Sequence, residues 1–236
     1  MAKRKTRKTG GERAKDIIGA ILLIVLVASL VFVIVSMAGA PETAPAGTVG
    51  VKLKSEYTLS LVQCVLAIVV MFVPSMITKK FAVTIPNYMY VTYFIFLFCA
   101  VYLGEIRSFY YIFPRWDTML HTFSGAMLGA LGFSLVSMLN EDKSVPMSLS
   151  PFFVALFALC FAVFCGVVWE IYEYTFDGLL GLNMQKFALE DGTLLVGRQA
   201  LADTMEDLIV DTLGALLVCI AGYLGLMAKR KKADLD

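Results

Sequence analysis

Six long apolar runs, separated by short polar segments, dominate the pattern of hydrophobic and polar positions along the chain. Each run is close to or above the roughly 20 mainly apolar residues that a helix needs to cross a bilayer. The pattern therefore predicts an all-α integral membrane protein, a bundle of about six transmembrane helices. It also predicts one transmembrane domain over 17–227 between basic tails at 1–16 and 228–236. The predicted spans are 17–39, 57–78, 87–106, 117–139, 152–175 and 205–227.

The first run follows a basic lead and ends in Ala38, Gly39 and Ala40, a pattern that is also typical of a cleavable signal peptide. Its apolar core is longer than the roughly 7–15 residues of such peptides. Pro41 would also follow the cleavage point directly. We therefore interpret the first run as an uncleaved membrane anchor.

Composition and charge agree with a membrane protein. Hydrophobic residues make up 59% of the chain and charged residues 17%, against about half and about a quarter in ordinary soluble domains. The basic tails flank apolar runs, which favours contact with a lipid bilayer over nucleic acid. With six spans and the N-terminus inside, 14 of the 20 basic residues fall on the cytoplasmic side. The positive-inside rule then predicts a multi-pass membrane protein with both termini in the cytoplasm.

Acidic residues recur at helical spacing in a core region of about 105–220. Side chains three or four positions apart share one face of a helix, and the predicted topology brings these faces to the outer half of the membrane. Ionisable groups at membrane depth are costly, so their convergence indicates a functional site. The stripes are Asp117 with His121, then Glu170, Glu173 and Asp177, then Asp203, Asp207 and Asp211; Glu105 ends the third span on the same side.

If the outer ends of these helices align, the acidic residues form layers. Gly125, Gly129 and Gly214 continue the stripes inwards, where missing side chains allow helix backbones to approach closely. The predicted layers, from the surface inwards, are Asp117, Asp177 and Asp203, then His121, Glu173 and Asp207, then Glu170 and Asp211.

Carboxylates at this density need compensation, because uncompensated neighbours repel one another and several would stay protonated. A hard divalent cation such as Mg²⁺, Mn²⁺ or Ca²⁺ would be bound by carboxylate oxygens. Shared protons are a second solution, and basic counter-ions are a third: Arg107, Arg115, Lys186 or Arg198. The candidate metal ligands are Asp117, Glu170, Glu173, Asp207 and Asp211, and the candidate catalytic residues are His121, Glu170 and Glu173.

Ordinary structural roles account for the outer acidic residues. Asp117 stands at a predicted helix start, where a carboxylate is a good N-cap. Asp203 with Glu206 matches a capping box. Glu170 and Asp211 have no such explanation, because apolar residues flank both. Ser124 and Ser134 lack a convincing set of partners for a serine triad.

The link at about 178–204 alternates glycines with apolar residues and carries Glu190, Asp191 and Arg198. It is too apolar for a solvated linker, and long loops in compact folds tend to be lids or binding loops. Two arrangements remain open. One is a short re-entrant or interfacial lid over the acidic site, and the other is an amphipathic helix lying on the bilayer.

The segment from Trp116 to Ala215 resembles the bacterial inner-membrane family typified by YjdF. The matching motifs are Asp117-Thr-Met-Leu-His121-Thr-Phe-Ser-Gly125, Trp169-Glu170-Ile-Tyr-Glu173-Tyr174, and Asp203-Thr204-Met-Glu-Asp207 followed by Gly214-Ala215. The segment is also distantly similar to VanZ-type membrane proteins, which are associated with glycopeptide-antibiotic resistance. Asp211 occupies a position that is Asn in the VanZ pattern, and Glu173 one that tends to be Gln. The resemblance implies a membrane-embedded fold with this acidic site.

Three classes of function fit these patterns. The favoured one is a metal-dependent hydrolase or transferase, in which a divalent ion holds a lipid-like or anionic substrate and His121 acts as general acid or base. The second is a proton- or cation-coupled transporter that uses Glu170 and Asp211, although the sequence has no clear internal repeat. The third is a lipid- or antibiotic-binding protein or an envelope scaffold. The sequence leaves the oligomeric state open.

Overall fold

A computed structural model gives the conformation of residues 8–43, 52–81, 84–141, 148–189 and 193–233. Apart from connections and an isolated antiparallel bridge between Ala188 and Leu194, these residues are helical. Within these ranges, six helices are long and apolar enough to cross a membrane, so the predicted all-α membrane bundle is confirmed. They are Gly10–Gly39, Lys54–Lys80, Asn87–Ile106, Trp116–Asn140, Pro151–Leu180 and Gly197–Lys232.

The first span begins earlier than predicted, and each of the next two consists of two helical segments. Helix α1 (Gly10–Gly39) begins within the predicted basic tail because Thr9 and Glu12 form a capping box. The N–H of Thr9 donates to Oε2 of Glu12 at 2.7 Å, and the N–H of Glu12 donates to Oγ1 of Thr9 at 3.3 Å. The second span comprises α2 (Lys54–Val70) and α3 (Val73–Phe81). The third comprises α4 (Asn87–Leu97) and a π-helix, Phe98–Ile106, and is followed by the short α5 (Phe109–Ile112).

The chain divides into two compact units, Met1–Phe113 and Pro114–Asp236. In the first unit, α1 packs against α2 and α4. Glu105 has its own environment within this unit, since Oγ of Ser60 donates to its Oε2 at 3.4 Å and Nζ of Lys52 donates to its carbonyl at 3.3 Å. The core of this unit consists of buried apolar residues: Leu22, Leu26, Cys64, Ala67, Met71, Tyr90, Phe94, Leu97 and Val101.

In the second unit, helices α6 (Trp116–Glu141), α7 (Pro151–Leu180) and α8 (Ala202–Ala233) each pack against the other two. Ser150 caps α7 by accepting from the N–H of Phe153 at 3.2 Å, and Pro151 fills the first helical position. Gly181 ends α7 with a φ of +64°, a left-handed conformation that favours glycine. Residues 182–189 and 193–196, called the hairpin below, and a 3₁₀ turn at Gly197–Leu201 precede α8.

Candidate functional site

The acidic stripes lie in the second unit on the inward faces of α6, α7 and α8. The side chains of Asp117 and Asp203, close to the starts of α6 and α8, are partly buried. The other side chains of the cluster are 4–9% exposed, although each carries a polar carboxylate or imidazole group. The buried members are His121, Glu170, Glu173, Asp177, Asp207 and Asp211.

His121 is at the centre of this cluster. Its Nδ1 lies 3.3 Å from Oδ2 of Asp211. Its Nε2 lies 3.6 Å from Oδ1 of Asp117 and 3.8 Å from Oδ2 of Asp207. An imidazole protonated at Nδ1 alone would donate to Asp211 and direct the lone pair of Nε2 towards the other two carboxylates. A carboxylate behind a metal-binding histidine commonly fixes the ring in this way.

Asp211 is held from two further sides. Oγ of Ser124 donates to its Oδ1 at 2.8 Å. On the α7 side, a Cβ built on Gly166 would lie 2.9 Å from its Oδ2, so only glycine leaves room for the carboxylate there. Ser124 therefore belongs to the site, although no partner set is evident in the sequence. It does not form a serine triad, because its hydroxyl contacts Asp211 and the backbone carbonyl of His121 instead of the imidazole.

Glycines bring α6 and α8 into backbone contact beside Asp211. A Cβ on Gly125 would collide with the backbone of Asp211, and one on Gly214 would collide with the carbonyl of Thr122. A Cβ on Gly129 would lie 3.1 Å from Cα of Ala215. The predicted close approach is therefore confirmed. It sets the register of the two helices, and with it the pairing of the imidazole and the carboxylate.

The hairpin is tied to α7 by Asp177. Its Oδ1 accepts from the N–H of Met184 at 2.8 Å, and its Oδ2 accepts from the N–H of Gln185 at 3.0 Å. Asn183 closes the turn by accepting from the N–H of Ala188 at 3.0 Å and donating to its carbonyl at 2.7 Å. The described residues of this link form a hairpin and not an amphipathic helix. Glu190 and Asp191, noted in the sequence, lie outside the described residues.

Lys186 extends from the hairpin to the outer edge of the cluster. Its Nζ forms ion pairs with Oδ2 of Asp117 and, at 2.6 Å, with Oδ1 of Asp203. Burial alone would lower the pKa of Lys186, but the two carboxylates outweigh burial and raise the pKa above its ordinary value of 10.5. Of the basic residues considered as counter-ions, Lys186 forms ion pairs with the cluster in the described structure.

Gln185 connects α7 with α8. Its Nε2 donates to Oγ1 of Thr204 at 2.9 Å and to Oε2 of Glu170 at 3.3 Å. Glu170 therefore lies level with the first turn of α8, whereas Asp211 lies against Gly166, a full turn before Glu170 in α7. The prediction that Glu170 and Asp211 share the deepest layer is wrong, because Gln185 joins Glu170 to Thr204, about two turns of α8 before Asp211.

Glu170 and Glu173 are the least compensated acidic residues of the cluster. Oε1 of Glu170 is buried and has no hydrogen-bond partner among the described residues. Oε1 of Glu173 accepts from the indole Nε1 of Trp169 at 2.8 Å. Neither glutamate forms an ion pair within the described ranges.

Asp117, His121 and Asp207 form a group that is suited to a metal ion. Each offers one ligand atom, and these atoms all lie within 4.8 Å of one another. Oxygen ligands about 2.1 Å from a Mg²⁺ ion are about 3–4 Å apart, so small side-chain rotations would close the group around an ion. Such an ion would keep coordination positions free for water or a substrate.

The structure thus brings together most of the site that the sequence predicts. Asp117, His121, Asp207 and Asp211 meet between α6 and α8. Gln185 links Glu170 to Thr204 of α8, and Glu173 is buried on the same helix as Glu170. Sequence reasoning missed Ser124, Gln185 and Thr204, and it named Lys186 only as one of several basic residues. The available signal was the polar pair Gln185-Lys186 in an otherwise apolar link.

Comparisons with known proteins agree with a membrane protein. A family model described as "Predicted membrane protein (DUF2238)" matches residues 18–227. A Thermotoga maritima protein described as "Uncharacterized protein" is 31% identical over 114 residues, which is 48% of this chain. The chain spans about half the length of this relative, since the match covers 50% of it. No solved structure matches.

Proposed function

Because the chain belongs to the DUF2238 family of predicted membrane proteins, we propose that its acidic cluster is a divalent-cation site inside a membrane helix bundle. The ion, Mg²⁺, Mn²⁺ or Ca²⁺, would support chemistry on a lipid-like or anionic substrate, as in a metal-dependent hydrolase or transferase. The observation that carries this proposal is the group of Asp117, His121 and Asp207, whose ligand atoms lie within 4.8 Å of one another.

The charges around the site support cation binding as the first step. Four carboxylates contact His121 or Lys186, and two more are buried on α7; they are those of Asp117, Asp203, Asp207 and Asp211, and those of Glu170 and Glu173. They would repel an anionic head group in the absence of a metal. A bound divalent ion offsets part of this charge and polarises a phosphoryl or carbonyl oxygen as a Lewis acid.

The contacts of His121 support specific roles for its neighbours. With Nδ1 held by Asp211, the imidazole is suited to bind the ion through Nε2, next to Asp117 and Asp207. Asp211 would then orient the ligand instead of binding the ion itself. The sequence-based assignment of Glu170 and Glu173 as catalytic residues stays a prediction. The sequence-based assignments of His121 as general acid or base and Asp211 as a ligand stay predictions.

Metal binding tests the proposal directly. The full chain would be purified in lipid nanodiscs, and Mn²⁺ binding would be measured by electron paramagnetic resonance. Asp207→Asn and His121→Asn should weaken binding at least tenfold, because each removes a ligand of the proposed ion. Glu206→Gln, an exposed acid in the same turn of α8 as Asp207, is the matched control. Absence of binding at millimolar Mn²⁺ would overturn the proposal.

Transport and passive binding are separable outcomes of related measurements. Proton- or cation-coupled flux into liposomes that Glu170→Gln abolishes would favour a transporter. Saturable lipid binding that needs neither a metal nor His121 would favour a binding protein or scaffold. The distant similarity to VanZ-type proteins stays a prediction.

The distribution of basic residues supports an inner-membrane protein with both termini in the cytoplasm and the site in the outer half of the bilayer. Labelling of single cysteines in a cysteine-free background would test this orientation in bacterial spheroplasts. Leu194→Cys, on the hairpin, should react with an impermeant maleimide in intact spheroplasts. Lys229→Cys, near the end of α8, should react only after lysis, and the reverse pattern would contradict the orientation.

A further inference from the structure

Most acidic residues of the cluster have an identifiable partner. Asp177 accepts two backbone N–H groups, and Lys186 pairs with Asp117 and Asp203. Asp207 faces Nε2 of His121 at 3.8 Å, and Asp211 is bound by His121 and Ser124. These contacts leave the two glutamates of α7 to be explained.

Glu170 and Glu173 lie on one face of α7 at a spacing of three residues. They are 6% and 8% exposed, and neither has an ion-pair partner in the described part of the chain. Oε1 of Glu170 is buried without any hydrogen-bond donor among the described residues. Buried charges in proteins are paired or coordinate metals, so this oxygen indicates a missing positive partner.

The charge balance leads to the same conclusion. Lys186 and one divalent ion at Asp117, His121 and Asp207 would offset three of the six surrounding negative charges. A second divalent ion would offset two more. Gln185, which donates to Oε2 of Glu170, is followed in the hairpin by Lys186, which pairs with Asp117 of the first group, so Glu170 lies beside that group.

We propose that Glu170 and Glu173 form a second cation subsite, which binds a divalent ion beside the Asp117–His121–Asp207 group. The proposal rests on the proposed function, because the second ion adjoins the first. Trp169 holds one oxygen of Glu173 through its indole N–H at 2.8 Å, and Gln185 holds one oxygen of Glu170 at 3.3 Å. Each glutamate thus keeps its other oxygen for an ion. Paired ions of this kind bind an anionic substrate from two sides.

The stoichiometry of Mn²⁺ binding to the full chain in nanodiscs tests this subsite. We expect about two ions per wild-type chain and about one in Glu170→Gln, as for a site with paired metals. Glu206→Gln should keep both ions, since its side chain is exposed on α8. Asp207→Asn removes a ligand of the first ion and should also reduce the number of bound ions to about one.

Each outcome decides between the two proposals. One ion per wild-type chain, unaffected by Glu170→Gln, would overturn the second subsite and leave the first. Two ions that persist in both Glu170→Gln and Glu173→Gln would also overturn it, because the second ion would lie elsewhere. No binding at all would overturn the proposed function and this subsite together. Glu173→Gln removes the other proposed ligand, so a misfolded Glu170→Gln protein would not prevent a decision.

Discussion

The imidazole Nδ1 of His121 on α6 and the carboxylate Oδ2 of Asp211 on α8 are 3.3 Å apart, so one polar contact joins two helices inside the bundle. We expect Asp211→Asn to weaken Mn²⁺ binding about 10- to 100-fold, because partners behind a ligand affect metal affinity on that scale. If the Asn oxygen keeps the bond from Ser124, its amide N–H₂ faces Nδ1. The ring proton then moves to Nε2, which can no longer bind a metal. Electron paramagnetic resonance of Mn²⁺ measures the loss.

Ser124→Ala provides the matched comparison for Asp211→Asn. It removes one bond to Asp211 but leaves the charge and the histidine contact, so the expected loss of affinity is smaller. Equal affinity in wild type and Asp211→Asn would contradict an orienting role for this carboxylate.

The glycine contacts between α6 and α8 predict a large difference between two substitutions in one helix. Gly214→Ala places a Cβ against the carbonyl of Thr122 and should destabilise the protein by about 1–3 kcal/mol, as overpacking does. Gly225→Ala meets no atom within 4 Å and should stabilise α8 by about 0.5–1 kcal/mol. Thermal unfolding in detergent compares the two, and equal midpoints would argue against backbone contact at Gly214.

Asp177 is expected to control the order of the hairpin. Asp177→Ala removes two charge-assisted bonds to the N–H groups of Met184 and Gln185, each worth about 1.5–3 kcal/mol in a native structure. Hydrogen exchange at these two amides should become faster, while exchange in the middle of α7 stays slow.

Thr175→Ala is a suitable control for Asp177→Ala. Thr175 is exposed on the same helix, and its hydroxyl donates only to the carbonyl of Ile171 among the described residues. Faster exchange of the hairpin amides in both variants would show that the anchor lies elsewhere.

The raised pKa of Lys186 predicts how its ion pairs respond to pH. A lysine whose pKa rises on folding stabilises the protein fully below its unfolded pKa, near 10.5, and loses this effect as pH rises through the folded pKa. The difference in melting temperature between wild type and Lys186→Met should therefore be constant from about pH 6 to pH 9. Arg198→Met, an exposed residue before α8, should show no such difference. A difference that disappears below pH 9 as the pH is raised would contradict the ion pairs with Asp117 and Asp203.

Hydropathy and helical spacing were sufficient to predict the membrane bundle and the inward stripes. The run around Trp169, for example, is apolar except for residues that repeat at three or four positions, so Glu170 and Glu173 had to share a face. The glycine contact was also predictable, because Gly125 and Gly214 continue the stripes of His121 and Asp211. These features depend on residues that repeat every three or four positions within one helix, and this spacing can be read from the sequence.

The remaining parts of the site depend on tertiary contacts. Gln185 and Lys186 reach the cluster only because Gly181 reverses the chain and Asp177 binds the next backbone amides. Ser124 of α6 reaches Asp211 of α8 because of the relative position of the two helices. The spacing of residues within each helix does not specify this relative position. The level of Glu170 was mispredicted for the same reason, since its partner Gln185 lies on the hairpin.

The order of the helices along the chain has a consequence for biosynthesis. Helix α7 carries three buried carboxylates, yet the hairpin residues that donate to Glu170 and Asp177 are made later. An ionised acid in the middle of a lone membrane helix costs about 2.5–3.5 kcal/mol on insertion scales. Release of α7 into lipid before α8 would therefore expose these groups to hydrocarbon. The energetics favour departure of α6, α7 and α8 from the insertion machinery as one unit, so assembly of the site and integration into the membrane become a single event.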